Sequence, residues 1–170
     1  MTVRTSLKFS LALFALSLPT ASFAQQCTTE PDGQCSYTVA QLCLADSAAT
    51  PLTLEVADTF GKRARGLMYR TELADHHGMW FVYDEQRPGY SGFWMHNTNI
   101  ALDIAYLDAQ MKVVKQFTMQ PCTSVNPRNC PTYNPGVPYY SAVEMPAGYF
   151  KQHGITLGTQ FKQCNNEETP

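Results

Sequence analysis

The sequence has no Cys-x-x-Cys pair, no Gly-x-Ser-x-Gly elbow, no block of like charge, no internal repeat and no linker dividing it into two domains. Each absence excludes something. Paired cysteines of that spacing would mark a zinc site, and the missing elbow removes the α/β-hydrolase arrangement of a serine nucleophile. Charged residues are scarce at 15% against 44% hydrophobic, which excludes a disordered chain and a long coiled coil. Basic residues are scarcer still. Twelve Lys plus Arg face fourteen Asp plus Glu over 170 residues, so the basic face that nucleic-acid binding needs is not provided. The longest apolar run, Phe9 to Leu18, is half the roughly 20 residues of a membrane-spanning helix.

That run has its own meaning. Arg4 and Lys8 precede it and Ser22-Phe23-Ala24 follows, the order of an export signal over residues 1–24 cleaved after Ala24. The expected product is periplasmic or secreted. Without Arg4 and Lys8, ten basic residues face fourteen acidic ones, a formal charge of −4. All six cysteines (Cys27, Cys35, Cys43, Cys122, Cys130 and Cys164) fall after the signal, an even number in an oxidising compartment. Disulfides follow. Cys122 and Cys130 enclose seven residues with one proline and no apolar anchor beyond Val125, a loop that needs a covalent pin. If they pair, one of Cys27, Cys35 and Cys43 must meet Cys164. Cys43–Cys164 with Cys27–Cys35 is the favoured set.

Residues 25–50 are small, polar and Cys-rich and read as an N-terminal extension, residues 51–164 as the folded domain and 165–170 as a tail. Leu52, Leu54 and Val56 alternate with Thr53, Glu55 and Ala57, the period of a half-buried strand. Thr59 is placed to cap a helix over residues 62–68, with Ala64, Leu67 and Met68 on one face and the basic residues elsewhere. Strands are expected at 79–83, 92–96, 102–107, 112–117, 139–145 and 158–164, with a second short helix near Pro146. Five of the eleven prolines lie between Pro121 and Pro138, a long loop. The fold class is mainly β (α+β): a compact antiparallel β barrel or sandwich with one or two short helices.

Several blocks also carry a resemblance. Arg63-Ala64-Arg65-Gly66-Leu67-Met68-Tyr69-Arg70, Gly78-Met79-Trp80-Phe81, Phe93-Trp94-Met95-His96-Asn97-Thr98, Leu102-Asp103-Ile104, Pro121-Cys122 with Cys130-Pro131-x-Tyr133, Val143-Glu144 and Ala147-Gly148 stand in an order and spacing similar to the DUF192 family. It covers roughly Pro51 to Phe161. The resemblance implies a compact, mostly β domain, often exported in bacteria, and no particular reaction. His96 stands where the family usually has Lys or Arg, and the Gly expected in the turn after Asp108 is absent.

The candidate ligand site is Arg63, Arg70, Trp94, His96, Asn97, Thr98, Asp103 and Glu144. A flat ring beside short amides, hydroxyls and carboxylates suits a sugar-like or peptide-like ligand, and makes a binding or accessory module of the bacterial envelope the leading expectation. The competing structural reading has Trp94 packing, Asp103 and Asn97 bonding loop backbone, and Arg63 or Arg70 neutralising Asp103 or Glu144. A hydrolase is the alternative, because glycoside cleavage uses two carboxylates and Asp103 and Glu144 are available. A copper-binding protein is the second alternative, with His76, His77, Met68, Met79, Met95 and His96 as soft ligands. Those methionines sit in apolar patterns, where Met is usually core filler, so no metal or other cofactor is expected.

Overall fold

The computed structural model describes residues 35–46 and 49–164. Residues 1–24, expected to be an export signal, Cys27 and the tail 165–170 lie outside the described residues. Among the described residues nine strands and two short α-helices follow one another: β1 (Thr38–Leu44), β2 (Leu52–Ala57), α1 (Phe60–Arg65), β3 (His77–Arg87), β4 (Phe93–Trp94), β5 (Leu102–Leu107), β6 (Val113–Met119), β7 (Thr132–Tyr133), β8 (Tyr139–Pro146), α2 (Tyr149–Gln152) and β9 (Phe161–Gln163).

Seven of the strands form one sheet in the order β6-β5-β8-β3-β2-β1-β9, and β4 pairs with β7 apart from it. The sheet curls. At its two ends Val113 donates to Thr159 O and Phe161 to Met111 O, drawing β9 towards the start of β6. The mainly β, antiparallel-rich expectation holds, with one exception: β2 and β3 run parallel, Leu54 opposite Gly78 and Val56 opposite Trp80. Such a pair needs a crossover. Residues 58–76, with α1, supply it.

β5 is buried at every position, so both faces of the sheet are covered. Leu42, Leu54, Trp80, Ala105, Val143 and Met145 fill one face, closed by Tyr149 and Phe150 of α2, Ile155 and Phe161. Met79, Phe81, Ile104, Tyr106 and Ala142 fill the other, covered by Leu67 and Met95 from the long connections. The parity of each strand decides which face a residue reaches.

Three expectations need correction. The composition of residues 25–50 suggests an extension, yet β1 lies inside the sheet between β2 and β9, with Leu42 fully buried. Its main chain pairs along both edges, which no side-chain pattern advertises. The helix expected at 62–68 runs from Phe60 to Arg65 instead, with the Thr59 hydroxyl accepting from Lys62 N at 3.3 Å. Gly66 at φ 49 ends it, so Leu67 and Met68 form a turn and Arg65 is carried inward to 8% exposure. The strand expected at 92–96 is likewise cut to the two residues of β4.

Two disulfides are described, Cys43–Cys164 and Cys122–Cys130. Cys35 is also disulfide-bonded, and its expected partner Cys27 is outside the described residues.

Two strands approach closely at Gly78. A β-carbon there would stand 2.1 Å from Glu144 O and 2.5 Å from Met145 Sδ. Gly78→Ala is expected to push β3 from β8 and cost about 3 kcal/mol in urea unfolding.

Candidate functional site

α1 and its turn (residues 63–68), Phe81 of β3, Phe93 and Trp94 of β4, Thr98 and Glu144 of β8 enclose a pocket with about 40 Å³ of room. Its walls have a common origin. Every lining residue belongs to the blocks that carry the family resemblance.

Glu144 is 4% exposed and lines the pocket. Burial pushes its pKa up to about 8, so the group is mostly protonated at neutral pH. Arg63 donates to Val82 O at 2.8 Å, and its guanidinium lies 4.8 Å from the Tyr83 ring centre. Arg65 lies 4.6 Å over the Tyr69 ring. Trp94 stands at the mouth, 47% exposed, its ring 5.2 Å from that of His96. A side chain that open contributes little to the core.

The turn at 95–98 is tied to the turn after α1. Asn97, at φ 57, donates its amide to the Tyr69 hydroxyl at 2.8 Å and accepts from Tyr69 N at 2.8 Å through its carbonyl. Thr98, 5% exposed, accepts from Cys122 N at 3.2 Å through its carbonyl. Asn97 therefore positions the wall instead of facing a ligand.

The eight candidate residues do not form one site. Arg63, Trp94, Thr98 and Glu144 line the pocket, and His96 borders it through Trp94. Arg70 does not. Its guanidinium bonds both oxygens of Glu55, at 2.9 and 2.7 Å, so its carboxylate is neither Asp103 nor Glu144. Because the two side chains are 40% and 29% exposed, Arg70→Met is expected to cost no more than about 1 kcal/mol, read from the unfolding midpoint.

Asp103 is also elsewhere. On β5 it is opposite Met145 and Thr118, whereas Glu144 is opposite Ile104, the next residue of β5. Adjacent positions point to opposite faces, so the two carboxyls cannot attack one substrate from a shared cleft. Asp103 accepts from Thr118 Oγ1 at 2.7 Å and from Phe150 N at 3.1 Å, holding α2 on the sheet. The copper ligands fare no better: Met79 and Met95 are buried in the apolar core, and His76 packs against Tyr149 and His153. Among the described residues no three His, Cys, Asp or Glu side chains converge on a common point. Sequence reasoning missed Arg65 and Phe81 as pocket residues. Both lie in the quoted blocks, but the place where α1 ends decides the side that Arg65 takes.

The curled sheet, its two covered faces and the pocket define a small, disulfide-stapled, mainly β domain. The family model of DUF192, described as an uncharacterized ACR, matches residues 42–163, and the chain belongs to that family. No curated protein matches it. Two solved structures are similar: a candidate transcription regulator from Sinorhizobium meliloti 1021, 28% identical with a TM-score of 0.67 over 77% of this chain and 98% of that one, and a protein of unknown function from Novosphingobium aromaticivorans DSM 12444, 25% identical with a TM-score of 0.58 over 85% and 98%.

Proposed function

We propose that this chain is an exported ligand-binding or accessory module of the bacterial envelope, and that its ligand, sugar-like or peptide-like, enters the pocket at Glu144. One observation carries the reading: Glu144, a carboxyl at 4% exposure, lines a pocket. A polar group set in a concave pocket is the usual handle by which a small ligand is oriented. The disulfides suit an oxidising compartment, and no helix among the described residues is long and apolar enough to cross a membrane. The regulatory role in the Sinorhizobium protein's description is not extended to this chain, whose formal charge of −2 gives nucleic acid no basic face.

The test uses the two tryptophans, because Trp80 is 9% exposed within the core and Trp94 stands at the pocket mouth. Titration with glucose, N-acetylglucosamine and dialanine should change the emission, and Trp94→Phe should abolish the change without loss of fold. No response to any of the three, with an unmoved unfolding midpoint, would overturn the reading.

A further inference from the structure

The strand order ends at β6, and the outer edge of that strand is only partly used. Val113 donates outward to Thr159 O and accepts from Gly158 N, with Lys112 opposite Gln160 in an antiparallel bridge. Beyond Val113 no main chain among the described residues pairs with this edge. The ladder decides which groups are left. A strand with an antiparallel neighbour on each side bonds the two alternately, so Leu107, opposite the outward-turned Val113, bonds β8. Ala105 and Asp103 follow in step, and Gln116 and Thr118 opposite them therefore turn N–H and C=O outward.

The side chains of those two residues lie on the face of Asp103, away from Glu144. There Gln116, Thr118 and Asp103 of the sheet, Phe150 and Lys151 of α2, and Ile155 border a cleft with about 370 Å³ of room. That is within the roughly 300 to 1,000 Å³ of ligand clefts. Asp103 is 3% exposed and both its oxygens already accept, from Thr118 Oγ1 and Phe150 N. Phe150 and Ile155 make part of the wall apolar.

The exposed charge along the edge is basic. Lys112, Lys115 and Lys151 are three of the five lysines after residue 24, in a chain whose acids outnumber its bases there. Among the described residues none of the three is in an ion pair. Asp108, the acid of the turn between β5 and β6, is occupied by the N–H groups of Gln110 and Lys112. Lys115 stands on the face opposite the cleft, its ammonium 5.1 Å from the centre of the Phe117 ring. A second copy of this chain is a poor occupant, because paired edges would set lysines against lysines.

We propose that this edge docks an extended acidic segment of a partner protein, added antiparallel to β6 from Gln116 to Thr118, with one large apolar side chain in the cleft. Main-chain bonds to the outward groups hold the segment, and the alternation of its side chains gives the selectivity. The apolar residue falls on the cleft face, its immediate neighbours fall on the face of Lys115, and the next residues return to the side of Lys151. Acids at those places meet the unpaired lysines. The site lies across the sheet from Glu144 and stands whether or not that pocket takes a ligand.

The probe is the acetylated and amidated peptide Glu-Glu-Phe-Glu-Glu, titrated calorimetrically at about 50 mM salt. It should bind at least about tenfold tighter than the same peptide with Lys for every Glu, and salt at about 500 mM should close most of that gap. N-methylation of the phenylalanine keeps every side chain, removes the N–H that pairs with β6, and should also weaken binding at least about tenfold. Lys115→Glu and Lys151→Glu should each weaken the acidic peptide with the unfolding midpoint held, whereas Trp94→Phe should leave its affinity unchanged. A lysine or N-methyl peptide that binds as tightly would overturn the proposal. So would affinity lost with Trp94→Phe, which would move the peptide to the pocket at Glu144, or no binding at millimolar concentration. A dimer in sedimentation that Lys115→Glu disperses would give the edge to a second copy and overturn it too.

Discussion

Between about pH 4.5 and about pH 8 the protein should lose roughly 5 kcal/mol of stability relative to a Glu144→Gln variant. In the unfolded chain the carboxyl ionises at its ordinary value near 4.5, whereas burial in the fold holds the proton until about 8. Below the lower value both states are protonated and the residue contributes no slope. Between the two values unfolding releases a proton, so each unit of pH weakens the fold by about 1.4 kcal/mol. Above about 8 both states are ionised and the difference levels off. Every other titrating group is common to both proteins and cancels in the comparison. Urea unfolding at a series of pH values reads the difference directly. Parallel curves would show that a donor reaches the Glu144 carboxylate and that the pocket does not strip it of solvent.

Breaking Cys43–Cys164 should have an effect of the same size. The bond spans a separation of 121 residues, and closing a loop that long removes roughly 5 kcal/mol of unfolded-chain entropy. Cys122–Cys130, with a separation of 8, removes roughly half as much. The long bond also guards a weak place, for β9 is three residues long, ends the strand order and pairs with β1 from Leu42 to Leu44. Replacing both Cys43 and Cys164 by Ala should lower the thermal midpoint by about 15 °C, and replacing both Cys122 and Cys130 by about half that. Equal effects would mean that local order around the 122–130 loop, and not chain entropy, governs its contribution.

What the sequence made legible follows from what side chains record. β2, β5 and β8 were readable because their apolar residues alternate or run continuously between turn residues. β1 was not: of its seven residues only Leu42 is buried, and its membership of the sheet is written in main-chain pairing. The candidate site shows the same limit. Trp94, Thr98, Arg63 and Glu144 were singled out from their neighbourhoods and do line one pocket. Nearness to Trp94 in sequence suggests that Asp103 belongs with them. Its distance from Glu144, though, depends on the register of β5 against β8, where a slip of one residue exchanges the two faces. No local pattern encodes that register. The side that Arg65 takes is illegible for a similar reason, since the helix ends at Gly66 before the expected face is complete.

Tying Cys43 to Cys164 makes the domain a covalent ring, with the smaller ring of Cys122–Cys130 set within it. One peptide bond cut by a protease anywhere between the long bond's ends opens the ring but releases no fragment. A nick in the exposed stretch 123–129 is bridged twice. Two cuts within the ring are needed to shed a piece of it, so the ring stays in one covalent unit after a first cut inside it, and its severed ends are held for refolding.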